Sequence, residues 1–221
     1  MVTNFGDYTT IGYIGMRNAV RCRPVFLLFI LLSVFGARDL RGQESEPRTV
    51  VSAFQGELLA TMKHAKALGF EGRYQQLLPA MELAFDFDQI ARIAVGRGWV
   101  KMTQTDQKQV VDLFRRFSVS TYASAFSDYG GEQFEISGAR VQSDIGTIVE
   151  TRLVLKNEAP VDLNYLLRET PAGWKIVDVY LAGTISELAR RRAEFASIIR
   201  RQGVDGLIAL LKRKNEELAG S

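Results

Sequence analysis

The hydrophobic period of this chain switches at Gly130-Gly131 and switches back after Leu181, and no other feature constrains its fold as strongly. Upstream, apolar residues recur at three- and four-residue spacing; between the two points they alternate. A helix-period segment cannot serve as a strand, nor the reverse, so the order is helices, then strands, then helices. That order predicts an α+β fold.

The helical segments read as follows. Val50, Phe54, Leu58 and Met62 start a helix at Thr49 that Gly69 stops. A second runs over 72–84, with Pro79 expected to kink or break it. A third covers 88–95, capped by Asp86 or Asp88 and ended by Gly96 and Gly98. Thr103 or Thr105 opens a long fourth helix, with Asp106 placed as in a capping box. Its stripe of Val110, Phe114, Phe117, Thr121 and Ala125, widened by Tyr122 and Phe126, must be buried against a large surface. Two helices, 185–201 and 204–218, close the chain around Gly203.

Four strands are expected at 134–141, 147–156, 161–168 and 174–181, joined by short turns around Asp144, Asn157 and Pro171. Short joints imply antiparallel neighbours. Val149, Thr151, Leu153 and Leu155 share one face, while Glu150, Arg152 and Lys156 share the other. One buried and one wet face follow. The expectation is a four-stranded antiparallel sheet covered by N- and C-terminal helices, in one domain over 49–221.

Ahead of that domain, Arg17, Arg21 and Arg23 precede the apolar run Val25–Phe35, which Gly36 and Ala37 close. This is the layout of a cleavable export signal, with residues 1–37 as extension and signal peptide and 38–48 as a flexible lead-in. The residues before Met16 fit no part of a signal, and Met16 reads as its start. An uncleaved anchor is the competing reading, but the run is short against the roughly 20 residues a spanning helix needs. The leader also carries most of the charge excess. The chain's net charge is +3, and without 1–37 it is +1. A body so balanced has no general pull on nucleic acid. The single cysteine, Cys22, leaves with the leader, so disulfides and thiolate chemistry are not expected beyond it.

Catalytic parts are scarce. The single histidine, His64, sits between Lys63 and Lys66 and reads as a solvated helix position. No metal or cofactor is expected. Gly96-Arg97-Gly98 is not preceded by a strand, so it fails the dinucleotide-binding context. Asp178, flanked by Val177 and Val179 in a strand, could be a perturbed general base facing a cavity. The simpler reading points it to the wet face or pairs it with an arginine. Arg190-Arg191-Arg192 reads as a solvated helix face, with a lipid headgroup or an acidic partner as the alternatives. The abundant aromatics fit a filled core as well as a hollow one.

Five segments in order resemble the MlaC family of periplasmic phospholipid carriers linked to toluene tolerance. They are FDFDQIARIAVGRGW (Phe85–Trp99), FRRFSVSTYASAF (Phe114–Phe126), VDLNYLLRETPAGWKIVDVYLAG (Val161–Gly183), RRAEF (Arg191–Phe195) and GVDGLIALL (Gly203–Leu211). One segment departs: GTISELARRR (Gly183–Arg192) lacks the family's asparagine and tyrosine and is similar to the hopanoid-associated HpnM branch. The resemblance implies a curved antiparallel sheet and helices around an apolar cavity that takes a phospholipid or a hopanoid. It further implies a non-enzymatic periplasmic carrier that serves an ABC-type transport system, exchanging lipid with MCE-type inner-membrane and outer-membrane components. Phe117, Tyr122, Val149, Leu153 and Tyr165 are the expected lipid-binding wall. Two other expectations stand beside it: an enzyme with a cone-shaped fold using Asp178 on a polycyclic substrate, and a scaffold with a filled core.

Overall fold

A computed structural model describes residues 46–220 other than Ser143 and Asn157. The expected signal peptide and most of the lead-in lie outside the described residues.

Helix α1 (Pro47–Lys63) begins with proline in its first turn, where no backbone donor is needed. It ends at His64, whose backbone (φ −111°, ψ 10°) joins it to α2 (Ala65–Ala84). His64 is thus an exposed junction residue, not a position within a helix. Gly69 (φ 61°, ψ −174°) interrupts α2, where the sequence placed a stop. Of the kink or break expected at Pro79, the break is missing, and the backbone there stays helical. Its neighbours Leu77 and Met81 are wholly buried, and that packing holds the turn through the lost hydrogen bond. Asp86 accepts a bond from the Gln89 N–H at 2.9 Å and caps α3 (Phe87–Val95). A short 3₁₀ turn, Gly96–Lys101, follows. Thr103 caps α4 (Gln104–Ala125), accepting from the Asp106 N–H at 3.1 Å while its hydroxyl donates to the Asp106 carboxylate at 2.7 Å.

The sheet is an antiparallel meander in the order β1 (Gln133–Gln142), β2 (Gly146–Val154), β3 (Val161–Thr170), β4 (Gly173–Leu181) and β5 (Ile185–Ser186). It has five strands where four were expected. Ile185 pairs with Leu181 and Ser186 with Tyr180, so the residues read as the start of a helix first extend the sheet. Helix α5 (Glu187–Ala219) starts only after Ser186, whose Oγ accepts from the Ala189 N–H at 2.9 Å. It is interrupted at Gly203 (φ 69°, ψ −166°), a conformation open to glycine and costly for other residues. Strand β2 ends at Val154, two residues short of the expected Lys156. Register shifts at Ile136/Gly138 and Leu166/Leu167 are bulges, which bend and twist a sheet.

Helix α1 packs on β1, β2 and β4, and α4 packs between α2 and α5. Phe54, Leu58, Leu77, Met81, Tyr165, Phe195, Leu207 and Leu211 are fully buried between these layers. The Asp86 N–H donates to the Ile176 carbonyl at 3.0 Å and stitches the start of α3 to β4. The opposite sheet face is not uniformly wet. Ile148, Leu166 and Val177 are buried there with Ile145 and Tyr180 against them.

Candidate functional site

The hollow in this fold begins with α4. Its aromatics Phe114, Phe117, Tyr122 and Phe126, three, five and four residues apart, fall on one broad side of the helix and all line the hollow. Facing them, alternate residues of β3 and β4 point the same way: Leu163 and Tyr165, then Val179 and Leu181. Met81, Phe85, Phe87 and Ile90 close the wall on the α2–α3 side, and Leu188 closes it on the α5 side. The space enclosed is a half-open, largely apolar cavity of about 340 Å³. That lies in the range of small-molecule sites, roughly 300–1,000 Å³.

The walls are pinned by ring contacts and by buried polar bonds. Phe54 sets its edge against Phe85 at 5.1 Å, Tyr122 at 5.6 Å and Tyr165 at 6.2 Å. Tyr122 stacks on Phe126 at 5.6 Å. Gln55 is buried behind the wall and donates to Thr151 Oγ1 at 3.0 Å, while the Thr151 hydroxyl bonds the Leu163 carbonyl. Burial pushes the Tyr165 phenol up to about 12, against a bond with Gln55 that pulls the other way, and burial raises Tyr122 as well. Both phenols therefore stay neutral. Ser118 and Thr121 also line the cavity, but their hydroxyls donate back to the Phe114 and Phe117 carbonyls at 2.9 and 2.8 Å. Their polarity is spent on the helix itself.

Of the expected wall residues, Phe117, Tyr122 and Tyr165 line the cavity, whereas Val149 and Leu153 do not. Val149 is fully buried opposite Tyr165, in the part of the sheet that packs on α1. Leu153 is a partly buried flank of the same core. Alternation along β2 identified the buried face correctly but could not say where a helix fills the space above it. The residues missed include Phe85, Phe87, Leu163, Val179 and Leu188. Two of them were within reach: stepping two residues from Tyr165 gives Leu163, and the partner of Tyr165 on β4 is Val179.

Asp178 overturns the expectation of a wet face or an arginine partner. It is 7% exposed, and its Oδ1 accepts from the N–H groups of Val179 at 2.8 Å and Leu188 at 2.9 Å. Its Oδ2 accepts from the Ser186 hydroxyl at 2.5 Å. Burial raises its pKa, and those three donors oppose the rise. Asp178 clamps the start of α5 onto β4 at the cavity edge. Arg191 departs from the solvated-face reading too. Its side chain is only 12% exposed, and its guanidinium lies 4.5 Å from the centre of the Phe117 ring. Arg190 keeps the expected exposure, and both arginines reach the cavity. Among the described residues no group of three or more His, Cys, Asp or Glu side chains could hold a metal ion.

Comparison with known proteins places this geometry among relatives. A family model described as MlaC protein matches residues 53–213. The fold is similar to that of a phospholipid-binding protein from Ralstonia solanacearum, solved in complex with a phospholipid, with a TM-score of 0.70 and 27% identity. The match covers 79% of this chain and 99% of that one.

Proposed function

This chain belongs to the MlaC family, and we propose that it is a lipid carrier whose cavity takes the acyl chains or rings of one lipid. The observation that carries the reading is the apolar cavity between α4 and the β3–β4 face, half-open and walled by aromatic side chains. A lipid in water exposes its chains at a cost of about 0.8 kcal/mol per methylene. An apolar cavity hides part of the chain, so a soluble carrier needs no catalytic group to move lipid between membranes. The phospholipid held by the structural relative from Ralstonia solanacearum supports that ligand class. The segment Gly183–Arg192 keeps a hopanoid beside a phospholipid as the cargo.

The basic and apolar leader supports export to the periplasm by a cleaved signal peptide, with residues 49–221 as the carrier domain. Service to an ABC-type system with MCE-type and outer-membrane components rests on the resemblance. A second reading makes Asp178 a general base, because its carboxyl is buried at the cavity edge with a raised pKa. To act so, it would have to release the α5 N–H and Ser186 hydroxyl it already binds.

The test is organic extraction of protein purified from its native compartment, followed by mass spectrometry. One lipid per chain is expected, and its mass separates phospholipid from hopanoid. Protein that emerges empty and stays empty after incubation with liposomes sinks the carrier reading. Turnover of a polycyclic substrate that disappears in Asp178→Asn would establish the enzyme instead.

A further inference from the structure

The lining of the cavity is largely apolar, but it carries a group of charged side chains at the start of α5. Glu187, the first residue of α5, receives both arms of one guanidinium: Arg190 Nε at 3.0 Å from Oε1 and Nη2 at 2.5 Å from Oε2. Arg191 Nη2 stands 3.9 Å from the same Oε2. All three side chains line the cavity. Arg191 sits over the Phe117 ring, part of the apolar wall, so its charge lies at the boundary between wall and water.

Helix capping does not explain this placement. Cations near a helix N-terminus oppose the macrodipole, and burial works against the Arg191 charge as well, lowering its pKa. The local cap is already supplied by Ser186 and Asp178. A planar guanidinium that binds a carboxylate through two donors binds a phosphate by the same geometry. The Glu187 side chain is 25% exposed, so water is within reach of a carboxylate that a phosphate displaces. Arg191 keeps Glu194 as a partner at 3.1 Å when that happens.

We infer that Glu187, Arg190 and Arg191 form a phosphate-binding mouth, in which the Glu187 carboxylate holds the position that the phosphate of a lipid headgroup takes. The inference rests on the reading that the cavity below receives lipid chains. It makes the carrier selective for lipids with an anionic phosphate over lipids with the same chains and no phosphate. Glu187 sets the strength of that selection, because each incoming phosphate must displace it.

The test loads the mature chain from vesicles containing equal amounts of dioleoylphosphatidylglycerol and dioleoylglycerol, and native mass spectrometry reads the ratio of the two complexes. The chains are identical, so the ratio isolates the headgroup. Wild-type protein is expected to favour phosphatidylglycerol by about tenfold, the worth of one charge-assisted hydrogen bond. Glu187→Gln should raise the ratio and Arg190→Gln should lower it, each by roughly tenfold. Arg190 is exposed, so its variant keeps the fold, and a ratio is unaffected by any loss of folded protein. A ratio near one in the wild type that neither variant moves overturns the inference and leaves lipid carriage standing. Loading of neither lipid overturns the carrier reading itself. Inorganic phosphate that raises the melting temperature through Arg190 while the lipid ratio stays near one assigns the mouth to free phosphate and overturns the headgroup role.

Discussion

Thr121→Trp tests the cavity directly. Thr121 faces the hollow from α4, one helical turn from Phe117 and Ala125, which also line it. Its hydroxyl donates to the Phe117 carbonyl of its own helix, so its removal strands no donor on another element, and the indole N–H that replaces it must reach the open side of the cavity. Tryptophan brings about seven more heavy atoms into the space, enough to exclude a similar number of methylenes at about 0.8 kcal/mol each. Half of that loss is recovered if the chain retreats toward the mouth, which leaves about 3 kcal/mol, roughly a hundredfold in affinity. The assay is lipid per protein after loading from vesicles, with Thr121→Val as the control that removes the hydroxyl and keeps the volume. Thermal denaturation supplies the second readout. In a filled core the indole would overpack and cost about 1–3 kcal/mol; in a hollow one it fits and the melting temperature holds. A folded Thr121→Trp that still loads lipid like the wild type would refute the assignment of this cavity as the lipid site.

Four further outcomes are expected. Asp178→Ala removes the acceptor for the Leu188 N–H and the Ser186 hydroxyl, and should cost about 2–4 kcal/mol in denaturant unfolding. Because the folded state raises the Asp178 pKa above 3.8, its contribution falls as pH climbs from there through the raised value and is flat beyond; Asp178→Asn should remove that slope. Tyr165, raised from 10.0 to about 12, makes stability fall as pH rises across that interval, and Tyr165→Phe should delete one of the late-titrating phenolates seen by ultraviolet absorbance, with that of Tyr122 remaining. Gly203→Ala places a Cβ at φ 69°, ψ −166°, and should lower stability by about 1–3 kcal/mol while leaving helix content by circular dichroism nearly intact.

Periodicity and turn chemistry were enough for the order of the main helices and strands, the break at Gly203 and the buried face of β2, and they narrowed the caps to Asp86 or Asp88 and to Thr103 or Thr105, between which the structure chose Asp86 and Thr103. These are local properties: a side chain's spacing along the backbone decides which face it joins, whatever that face later meets. The pairing of Ile185 and Ser186 with β4 was not local, since those residues become a strand only because Leu181 and Tyr180 lie beside them. The same limit applies to the cavity. Tyr165 and Val149 are paired across neighbouring strands and equally buried, yet only Tyr165 borders the hollow, because that depends on which side chains of other elements stand over each position. Asp178 shows the reverse case, a polar residue whose partners Ser186 and Leu188 come from the next element of the chain and bring it out of water. By itself the sequence determined the period of each element, and through it most of the apolar residues that leave water. Where the packed layers fail to fill the space between them, and which charges stand at its mouth, depends on the relative placement of whole elements, and only the tertiary structure decided that.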